Sequence, residues 1–488
     1  MSERRVSVGP MSVATDHFIN GARVGSARTF EDRSPLDWTT LLADVARGGA
    51  HEAALAVAAA EAAFPAWAAL ASVDRREYLF RLANLIDAHL EEIAAVECLD
   101  MGMLEESLRQ RVISRGARNF RVYADLAVEY RRREWESNGT ENTVIRMPAG
   151  PTVVITPWNA PFMLTTWKSA PALAAGNTVV VKPAEWSPLS CSILADLSLE
   201  AGFPPGVFNV VQGFGHEVGA ALVEDPRVRR ISFTGSPETG RSIGVAAATH
   251  LTPFTAELGG KGPFVVYADA DLNLAAQKAA QMYDDAGQVC LAGTRLLVDA
   301  SVRDEFLERF TRETDRHVLG DSRDPATTIS PLIHPEHLKR VEGFVARSVA
   351  SGDRLIFGGT RPRADGLWYA PTLIEPRSND AEIVQREVFG PVLTLQTFSN
   401  EAEAIDLANS TRYGLTAMVF TDSRARADRF GERVRAGTIW VNCFLVRDLT
   451  APFGGTGISG IGREGGDYAL DFYSDLKTYQ VKGGTTYG

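Results

Sequence analysis

The chain has 488 residues, of which 45% are hydrophobic and 23% are charged. This composition predicts a folded protein of two or three domains and argues against extensive disorder. The formal net charge of −11 argues against nucleic acid or an anionic membrane as the main partner. The four cysteines (Cys98, Cys191, Cys290 and Cys443) form no CxxC pair, so neither a zinc knuckle nor a thioredoxin-type motif is predicted, and a reducing compartment fits better.

The N-terminal part of the chain carries no recognisable targeting segment. Residues 1–15 have the composition of a loose tail, and their arginines are not followed by the apolar segment of a signal peptide. The longest apolar stretch, 55–71, contains Glu61 and Pro65 and is predicted to be a packed helix, not a membrane span. We therefore expect a cytoplasmic protein.

The rest of the chain alternates between two hydrophobic patterns. Residues 50–130 have helical spacing, and short apolar runs then alternate with helical segments, which indicates βαβ units and parallel sheets. A first series has predicted strands at 144–147, 153–156, 178–181, 207–211 and 230–233, with helices at 189–200 and 219–223. A second series has strands at 264–267, 296–298, 392–398, 416–420 and 438–442, with helices at 272–282 and 302–314. The pattern predicts two α/β sheet domains.

A cysteine in the second half of the chain is a candidate nucleophile. Cys290 follows the small, turn-forming sequence Gly287-Gln288-Val289, and a thiolate at a helix end can be reached by substrate. The alternative is an inert core thiol, which is the commoner state of a lone cysteine.

Two further side chains could assist this thiol. Glu257 precedes Gly259-Gly260, where a carboxylate can act as a mobile base that activates water; the alternative is a surface glutamate at a turn. Asn159 follows the predicted strand at 153–156, where its amide can donate to a developing oxyanion together with the cysteine's own backbone N–H. The alternative for Asn159 is a polar turn residue.

Three segments that follow predicted strands suit a dinucleotide. Lys182 and Glu185 follow a buried-type strand, where a lysine can bind ribose hydroxyls and a carboxylate can accept from them while repelling a 2′-phosphate. Gly235-Ser236 should open a helix whose N-terminus can meet pyrophosphate. The segment Gly213-Phe214-Gly215 is followed by Gly219, which comes one residue later than the third glycine of the usual dinucleotide fingerprint, so the segment by itself indicates only a turn.

In this order, the motifs closely resemble those of the aldehyde dehydrogenase superfamily over roughly residues 17 to 483. Two further matches are Glu387-Val388-Phe389-Gly390-Pro391 and Pro452-Phe453-Gly454-Gly455. The resemblance implies that Cys290 is the nucleophile, Glu257 the base and Asn159 the oxyanion donor. For the cofactor NAD, it implies that Lys182 and Glu185 hold the adenosine ribose, Ser236 lies near the pyrophosphate, and Glu387 and Phe389 hold the nicotinamide ribose and ring. Further cofactor-binding positions implied by the resemblance are Thr156, Pro157, Trp158, Gly215, Phe233, Gly235 and Leu258.

The resemblance also implies a reaction. The thiolate attacks an aldehyde, hydride passes to the nicotinamide, and Glu257 directs water to the resulting thioester, which releases a carboxylic acid. Members that transfer the acyl group to CoA typically lack that base, so a hydrolytic enzyme is expected. No metal is expected, because His334 and His337 have no third ligand nearby and a helix start at Pro335 explains them.

The implied architecture is α/β: an aldehyde dehydrogenase fold with a Rossmann-like NAD domain, an α/β catalytic domain and a β-strand oligomerisation arm. The NAD domain is expected at 16–127 and 148–257, and the catalytic domain at 258–435. The arm is expected at 128–147 and 474–488, and residues 436–473 should return to the NAD domain and line the substrate tunnel. A homodimer or homotetramer is expected.

Three segments resemble the muconic-semialdehyde dehydrogenases, which act on 2-hydroxymuconic, 5-carboxymethyl-2-hydroxymuconic and 2-aminomuconic semialdehydes. They are residues 441–449, 462–466 and 115–120. In that subgroup arginines at the positions of Arg115 and Arg447 hold the distal carboxylate of the substrate, which a guanidinium fork suits. The chain departs from the subgroup at Ser114, where proline is typical, and at Thr450-Ala451, where a basic residue is common, and these departures leave the exact aldehyde open.

Alternatives remain for these residues and for the function. Arg447 could instead pair with Asp448 or Glu464, and Arg115 could be an exposed helical arginine. The aromatic side chains expected to line the tunnel are Trp158, Phe162, Trp167 and Phe453, although an aromatic is more often plain core. The substrate could be a neutral aromatic or aliphatic aldehyde, or the protein could be an inactive structural or binding protein of the same fold, against which the intact catalytic trio argues.

Overall fold

The computed structural model describes residues 3–130 and 132–482. Its strands are β1 Arg5–Val8, β2 Met11–Ala14, β3 His17–Ile19, β4 Ala22–Val24, β5 Thr29–Arg33, β6 Leu41–Ala46, β7 Arg133–Ser137, β8 Thr140–Pro148, β9 Thr152–Ile155, β10 Val179–Lys182, β11 Phe208–Val210, β12 Arg230–Gly235, β13 Phe254–Leu258, β14 Pro263–Val266, β15 Arg295–Asp299, β16 Arg354–Phe357, β17 Thr372–Glu375, β18 Val392–Phe398, β19 Thr416–Phe420, β20 Thr438–Val441, β21 Gly460–Ile461 and β22 Ser474–Lys482. Its α-helices are α1 Ala50–Ala69, α2 Ser72–Ala88, α3 Leu90–Met101, α4 Glu105–Ser107, α5 Ser114–Glu129, α6 Pro161–Ala174, α7 Leu189–Glu200, α8 Ala220–Val223, α9 Pro237–Thr249, α10 Leu272–Ala280, α11 Arg303–Thr314, α12 Pro335–Ala350, α13 Glu382–Gln385, α14 Glu401–Ala408, α15 Arg424–Arg433 and α16 Gly466–Phe472. Shorter π and 3₁₀ turns are Leu108–Ile113, Gly215–Gly219, Gln281–Gly287, Ala300–Val302 and Gly457–Ser459. No helix in the described ranges is both long and apolar enough to cross a bilayer.

The first sheet has the strand order β21-β13-β12-β9-β10-β11-β3-β4. Strands β9 to β13 are parallel, and each of β9 and β10 is buried over its whole length because helices cover both faces. The chain proceeds from β9 through β10 to β11 on one side and from β12 to β13 on the other, so the order reverses between β9 and β12. Ligands bind outside the carboxyl ends of strands at such a switch point.

The second sheet has the order β16-β17-β18-β15-β14-β19-β20, and all its strands are parallel except the edge strand β16. Only residues 259–262 separate the end of β13 from the start of β14. The chain therefore passes from the carboxyl edge of the first sheet directly to the amino edge of the second. Strand β20, which we predicted to lie in the segment that returns to the first domain, pairs with β19 in the second sheet; the domain boundaries themselves stay a prediction.

A third, antiparallel sheet contains β7, β8 and β22. Strand β22 pairs with β8 over its full length, from Ser474 opposite Pro148 to Lys482 opposite Thr140. The base of this sheet is tied to the first sheet by Asn177, whose Nδ2 donates to the Tyr473 carbonyl at 2.7 Å. These strands lie in the ranges predicted for the oligomerisation arm; residues 131 and 483–488 of that prediction lie outside the described residues.

The expected loose tail at residues 1–15 was wrong for the part that the structure describes. Strands β1 and β2 form an antiparallel hairpin, in which Val8 and Val13 are buried. An ion pair of 2.6 Å between Arg4 Nη2 and Asp16 Oδ1 holds the start of the hairpin. Alternating valines gave the signal of a strand, but four-residue strands are too short to stand out from a polar terminal sequence.

Candidate active site

Two cavities open between the carboxyl edge of the first sheet and the amino edge of the second. One, of about 250 Å³, is lined by Phe389 and is called here the Phe389 cleft. The other, of about 450 Å³, is lined by Arg447 and is called the Arg447 tunnel. The residues that line both are Asn159, Thr234, Glu257, Leu258 and Cys290. The three residues predicted to be catalytic therefore stand where the two cavities meet.

The backbone just before Cys290 forms a turn with an unusual conformation. Residues 285–287 all have positive φ, of 53° at Asp285, 54° at Ala286 and 67° at Gly287, a conformation that costs free energy at the two non-glycine positions. The buried side chain of Gln288 holds this turn: its Nε2 donates to the Asp285 carbonyl at 3.3 Å, and its Oε1 accepts from the Ile333 backbone N–H at 3.0 Å. The turn presents Cys290, which is half-buried, to both cavities.

Asn159 is oriented by the same turn. Its Nδ2 donates to the Gln288 carbonyl at 2.8 Å, which fixes the amide plane and leaves the second N–H of this nitrogen for another acceptor. A carbonyl oxygen of a substrate attached to Cys290 is the acceptor that suits this position.

The electrostatics of the nucleophile and the base are set by burial. Burial, followed by the nearby carboxyls of Glu387 and Glu257, raises the pKa of the Cys290 thiol to about 12, and Arg447 opposes this shift. Burial, followed by neighbouring Glu464, raises the pKa of Glu257 well above its usual range. Neither carboxyl oxygen of Glu257 has a hydrogen-bond partner in the described part of the chain. The base is therefore held ready for a group that the protein itself does not supply.

A glycine gives the base its space. A Cβ atom on Gly454, whose φ is +155°, would lie 2.8 Å from Glu257 Oε1. A side chain at position 454 would therefore crowd the carboxyl group.

The ion-pair alternatives for Arg447 are not formed. Glu464 accepts from Lys168 Nζ at 2.5 Å and from Trp167 Nε1 at 2.6 Å. Asp448 accepts from the backbone N–H and the hydroxyl of Thr450 at 2.9 and 2.8 Å. Both carboxylates are thus bound elsewhere, and Arg447 forms no ion pair with any residue in the ranges 3–130 and 132–482.

Arg115 and Arg447 line the tunnel as two unpaired cations. The Arg447 guanidinium carbon lies 3.8 Å from the centre of the Phe453 ring, and that of Arg115 lies 5.2 Å from the centre of the Trp167 ring. The Nε atom of Arg115 is buried and has no hydrogen-bond partner in the described structure. Burial, followed by repulsion from Arg447, lowers the pKa of Arg115 to about 10. Both side chains are half-buried, and two partly desolvated like charges without an ion pair are costly, so this arrangement suits a bound anion.

The Phe389 cleft holds its polar groups through internal hydrogen bonds. Glu387 Oε1 accepts from the Gly260 backbone N–H at 2.8 Å, and a Cβ on Gly259 would lie only 1.9 Å from Glu387 Oε2. Phe389 has a φ of +62°, and its carbonyl lies 2.7 Å from His337 Nε2. Because a carbonyl can only accept, Nε2 carries the proton of this imidazole.

Other predicted cofactor residues lie at this cleft. Pro157, Trp158, Gly235, Ser236 and Leu258 line it. Ser236 is the N-cap of α9, and its Oγ accepts from the Thr239 backbone N–H at 3.1 Å. The N-terminus of α9 therefore opens at the cleft.

Five predicted cofactor residues line neither cavity. Lys182, the last residue of β10, forms an ion pair of 2.9 Å with Glu185. Thr156 bonds to Thr165, Phe233 is buried, and Gly215 is exposed at the start of a π turn. Their roles stay predictions.

Two of the four aromatics expected in the tunnel lie elsewhere. Trp167 and Phe453 line the tunnel, but Trp158 lines the Phe389 cleft. Phe162 is fully buried against Gly116, where a Cβ would lie 2.6 Å from the ring. The expectation for Phe162 was wrong, because a helix that borders a cavity also has a face in the core.

Sequence reasoning assigned no site role to several polar and aromatic side chains of the two cavities. Trp186, His337 and Arg340 line the cleft, and Arg340 Nη2 donates to the Glu387 carbonyl at 2.7 Å. Arg111 and Arg118 line the tunnel. The two arginines could have been found, since they stand four and three residues from Arg115 on a predicted helix.

Comparison with known proteins identifies the family of the chain. The profile of the "Aldehyde dehydrogenase family" matches residues 23–479. The 2-hydroxymuconic semialdehyde dehydrogenase of Pseudomonas sp. (strain CF600) is 42% identical over 96% of this chain and 99% of its own length. The betaine aldehyde dehydrogenase of Bacillus subtilis (strain 168) is 42% identical over 89% and 91%, respectively.

A solved structure gives the same result for the fold. The indole-3-acetaldehyde dehydrogenase AldA of P. syringae, in complex with NAD+ and IAA, superposes with a TM-score of 0.95 at 37% identity, covering 97% of this chain and 98% of that chain. The expected α/β fold is confirmed, and the chain belongs to the aldehyde dehydrogenase family.

Proposed function

We propose that this protein oxidises an aldehyde to a carboxylic acid with NAD, and that the aldehyde carries a carboxylate at its far end. The observation that carries the second part is the pair of unpaired cations, Arg115 and Arg447, in the tunnel that ends at Cys290. The first part rests on family membership and on the meeting of two cavities at the catalytic trio.

The residues at this junction have distinct roles in the proposed reaction. The Cys290 thiolate adds to the aldehyde carbon, and the Asn159 amide and the Cys290 backbone N–H donate to the oxyanion that forms. After oxidation, the acyl group remains on the sulfur as a thioester. Glu257 then takes a proton from a water molecule, which attacks the thioester and releases the acid. The absence of a protein partner on the Glu257 carboxyl supports this role.

The Phe389 cleft fits the cofactor. It lies at the switch point of the first sheet and contains the N-terminus of α9, which favours a phosphate group. Glu387 would hold a ribose, and Phe389 would contact the nicotinamide ring; Lys182 and Glu185 would hold the second ribose. When bound, NAD supplies the hydride acceptor.

Charge favours an anionic substrate over the alternatives. Betaine aldehyde, named for one relative, carries a quaternary ammonium group, and the cations Arg115 and Arg447 would repel it. A neutral aldehyde would leave both guanidinium groups without a counter-ion. A muconic semialdehyde, as named for the Pseudomonas relative, carries the carboxylate that these residues suit.

A comparison of matched aldehydes tests the proposal. We expect a carboxylated semialdehyde to be oxidised with a higher kcat/KM than its neutral analogue. Arg447→Gln should raise the KM for the carboxylated aldehyde about 10- to 100-fold, because charge-assisted hydrogen bonds contribute about 1.5–3 kcal/mol. It should lower kcat/KM for the neutral aldehyde no more than about fivefold, since Arg447 also favours the Cys290 thiolate. Equal loss for both aldehydes, or no loss, would exclude the carboxylate site. Absence of NADH formation with every aldehyde in a broad panel would favour the inactive alternative.

We also propose a homodimer or homotetramer assembled through the β7-β8-β22 sheet, and a cytoplasmic location. Exposed apolar side chains on this sheet, Trp135, Leu476 and Tyr479, support assembly. The free thiols of all four cysteines support a reducing compartment. Sedimentation of the protein with and without residues 474–488 tests the assembly.

A further inference from the structure

Three arginines form a row along one wall of the Arg447 tunnel. Arg111, Arg115 and Arg118 occur at intervals of four and three residues along the π turn Leu108–Ile113 and helix α5, and all three line the tunnel. This spacing places their side chains on one helical face. Arg111 and Arg118, at the two ends of the row, are exposed, and Arg115 between them is half-buried.

The three positions differ in what neutralises them. Arg111 lies 3.6 Å from Asp285 Oδ2 and donates to Ser107 Oγ at 2.8 Å. Arg115 is half-buried beside the Trp167 ring. Arg118 is exposed and has neither an ion pair nor a hydrogen bond with another residue of the described chain. Arg118 is thus the exposed end of the row that has no ion pair. Hydrogen bonds from Thr450 and, to a smaller extent, the charge of Arg118 lower the pKa of nearby Asp448.

The carboxyl groups near the tunnel offset only part of the charge of these arginines. Asp285 faces Arg111, and Glu464 is bound to Lys168. Asp448, at the outer end, is bound to Thr450. Four arginines line the tunnel against three carboxyl groups, those of Glu257, Asp285 and Glu464, and Glu464 is paired with Lys168. The tunnel therefore has an excess of positive charge in a chain whose formal net charge is −11. A charged cleft of one sign in a molecule of the opposite sign concentrates counter-ions at its opening.

We propose that Arg118 is an encounter site for the carboxylate of the substrate. It attracts the anionic end of the aldehyde from solution, and Arg115 and Arg447 then hold that carboxylate deeper in the tunnel. No bond is made or broken in this step. The inference rests on the proposed function, because it needs a substrate with a negative charge.

The two kinds of site differ in their demand on the side chain. A holding site benefits from the planar fork of arginine, whereas an encounter site needs only a positive charge. Lysine should therefore replace arginine at 118 without loss. It should not replace arginine at 447.

The test measures kcat/KM for a carboxylated aldehyde and its neutral analogue at two ionic strengths. At about 0.01 M, where the screening length is about 30 Å, Arg118→Gln should lower kcat/KM for the anion about 3- to 10-fold, and Arg118→Glu should lower it further. At about 0.5 M the loss should disappear. Arg118→Lys should match the unmodified enzyme, and kcat should not change in any of these variants.

Arg121→Gln is the matched control. Arg121 lies on the same helix, pairs with Asp87 at 2.6 Å and lines neither cavity. The Arg121→Gln variant removes the same amount of charge from the molecule as Arg118→Gln. If the position of the charge matters, Arg121→Gln should leave kcat/KM within about twofold of the unmodified enzyme.

Each remaining outcome decides a specific point. A salt-independent loss in Arg118→Gln, or an equal loss with the neutral aldehyde, would overturn the encounter role. If the unmodified enzyme prefers the carboxylated aldehyde and Arg447→Gln removes that preference while Arg118→Gln does nothing, the encounter role alone fails. If the unmodified enzyme shows no preference for the carboxylated aldehyde, both the proposed substrate class and the encounter role fail.

Discussion

The two cavities that meet at Cys290 treat their polar groups in opposite ways. In the Phe389 cleft, Glu387 accepts from a backbone N–H, and His337 bonds to a backbone carbonyl. In the Arg447 tunnel, Arg115 Nε has no partner in the described chain, and neither has either carboxyl oxygen of Glu257, which lies where the tunnel meets the cleft. The protein itself therefore supplies the hydrogen bonds that hold the polar groups of the cleft. In the tunnel, a bound molecule must supply the missing partners.

This comparison has an energetic meaning. A buried polar group without a partner costs about 1–3 kcal/mol. The unpaired groups of the tunnel therefore lower the free energy of unfolding, whereas the hydrogen-bonded groups of the cleft do not. Substitutions in the tunnel should therefore impair function with little loss of stability. Substitutions in the cleft should impair both.

The largest expected effect is on the base in the tunnel. Glu257→Gln should lower steady-state turnover about 10²- to 10⁴-fold, while the first turnover still yields NADH, because only water activation needs the base. The free energy of unfolding should not fall, since an unpaired buried carboxyl is replaced by a neutral amide. Rapid-mixing absorbance and urea unfolding measure the two quantities.

The pH dependence follows from the same group. The pKa of Glu257 is raised by burial, so the ionised, active base becomes more abundant as pH rises through that raised value. Turnover of the unmodified enzyme should increase with pH over this interval. A Glu257→Gln variant with a full turnover rate, or one that loses the first turnover as well, would contradict the role of this residue.

The next effect concerns the cleft. His337→Leu removes the donor to the Phe389 carbonyl, so the free energy of unfolding should fall by about 1–3 kcal/mol. The KM for NAD should rise about tenfold, equivalent to about 1.4 kcal/mol, because Phe389 is no longer held in its left-handed conformation. His337→Gln keeps an N–H donor and serves as the control. A stable Leu variant with normal cofactor affinity would remove the contrast between the cavities.

The smallest expected effect is that of Arg447, in the tunnel, on the reactivity of the Cys290 thiol. Arg447 opposes the rise in the pKa of the Cys290 thiol, so Arg447→Gln should raise that pKa further. Below the thiol pKa, the thiolate fraction then falls, and alkylation by iodoacetamide at a fixed pH should slow about two- to fivefold. Arg121→Gln should show no change. Faster alkylation in Arg447→Gln would contradict this expectation. It would mean that the Arg447 side chain hinders access of the reagent to the thiol more than its charge favours the thiolate.

The sequence was most informative where chemistry follows a strand. Asn159, Gly235 and Glu257 come at or just past the ends of apolar runs, and parallel strands bring those ends to one edge. The strand predictions at 392–398 and 416–420 coincide with β18 and β19. Family and fold were confirmed because these local signals occur in a distinctive order.

Partners across the fold could not be predicted. His337 faces Phe389 only because α12 packs against the segment before β18, and its position on the helix does not reveal this. Likewise, the sequence suggested Glu464 as a partner for Arg447. In the structure, Glu464 instead binds Lys168, which is 296 residues away in the sequence. Such contacts depend on tertiary packing, for which one sequence contains no periodic signal.

The four-residue connection between β13 and β14 has a consequence for how the enzyme fails. The base comes from one sheet and the sulfur from a turn before a strand of the other, so neither sheet is competent alone. Heat or denaturant need loosen only the weaker sheet to stop turnover. Inactivation should therefore follow the earlier of two melting events, and an assay of residual activity after heating would report the fragile half of the molecule instead of an average over both.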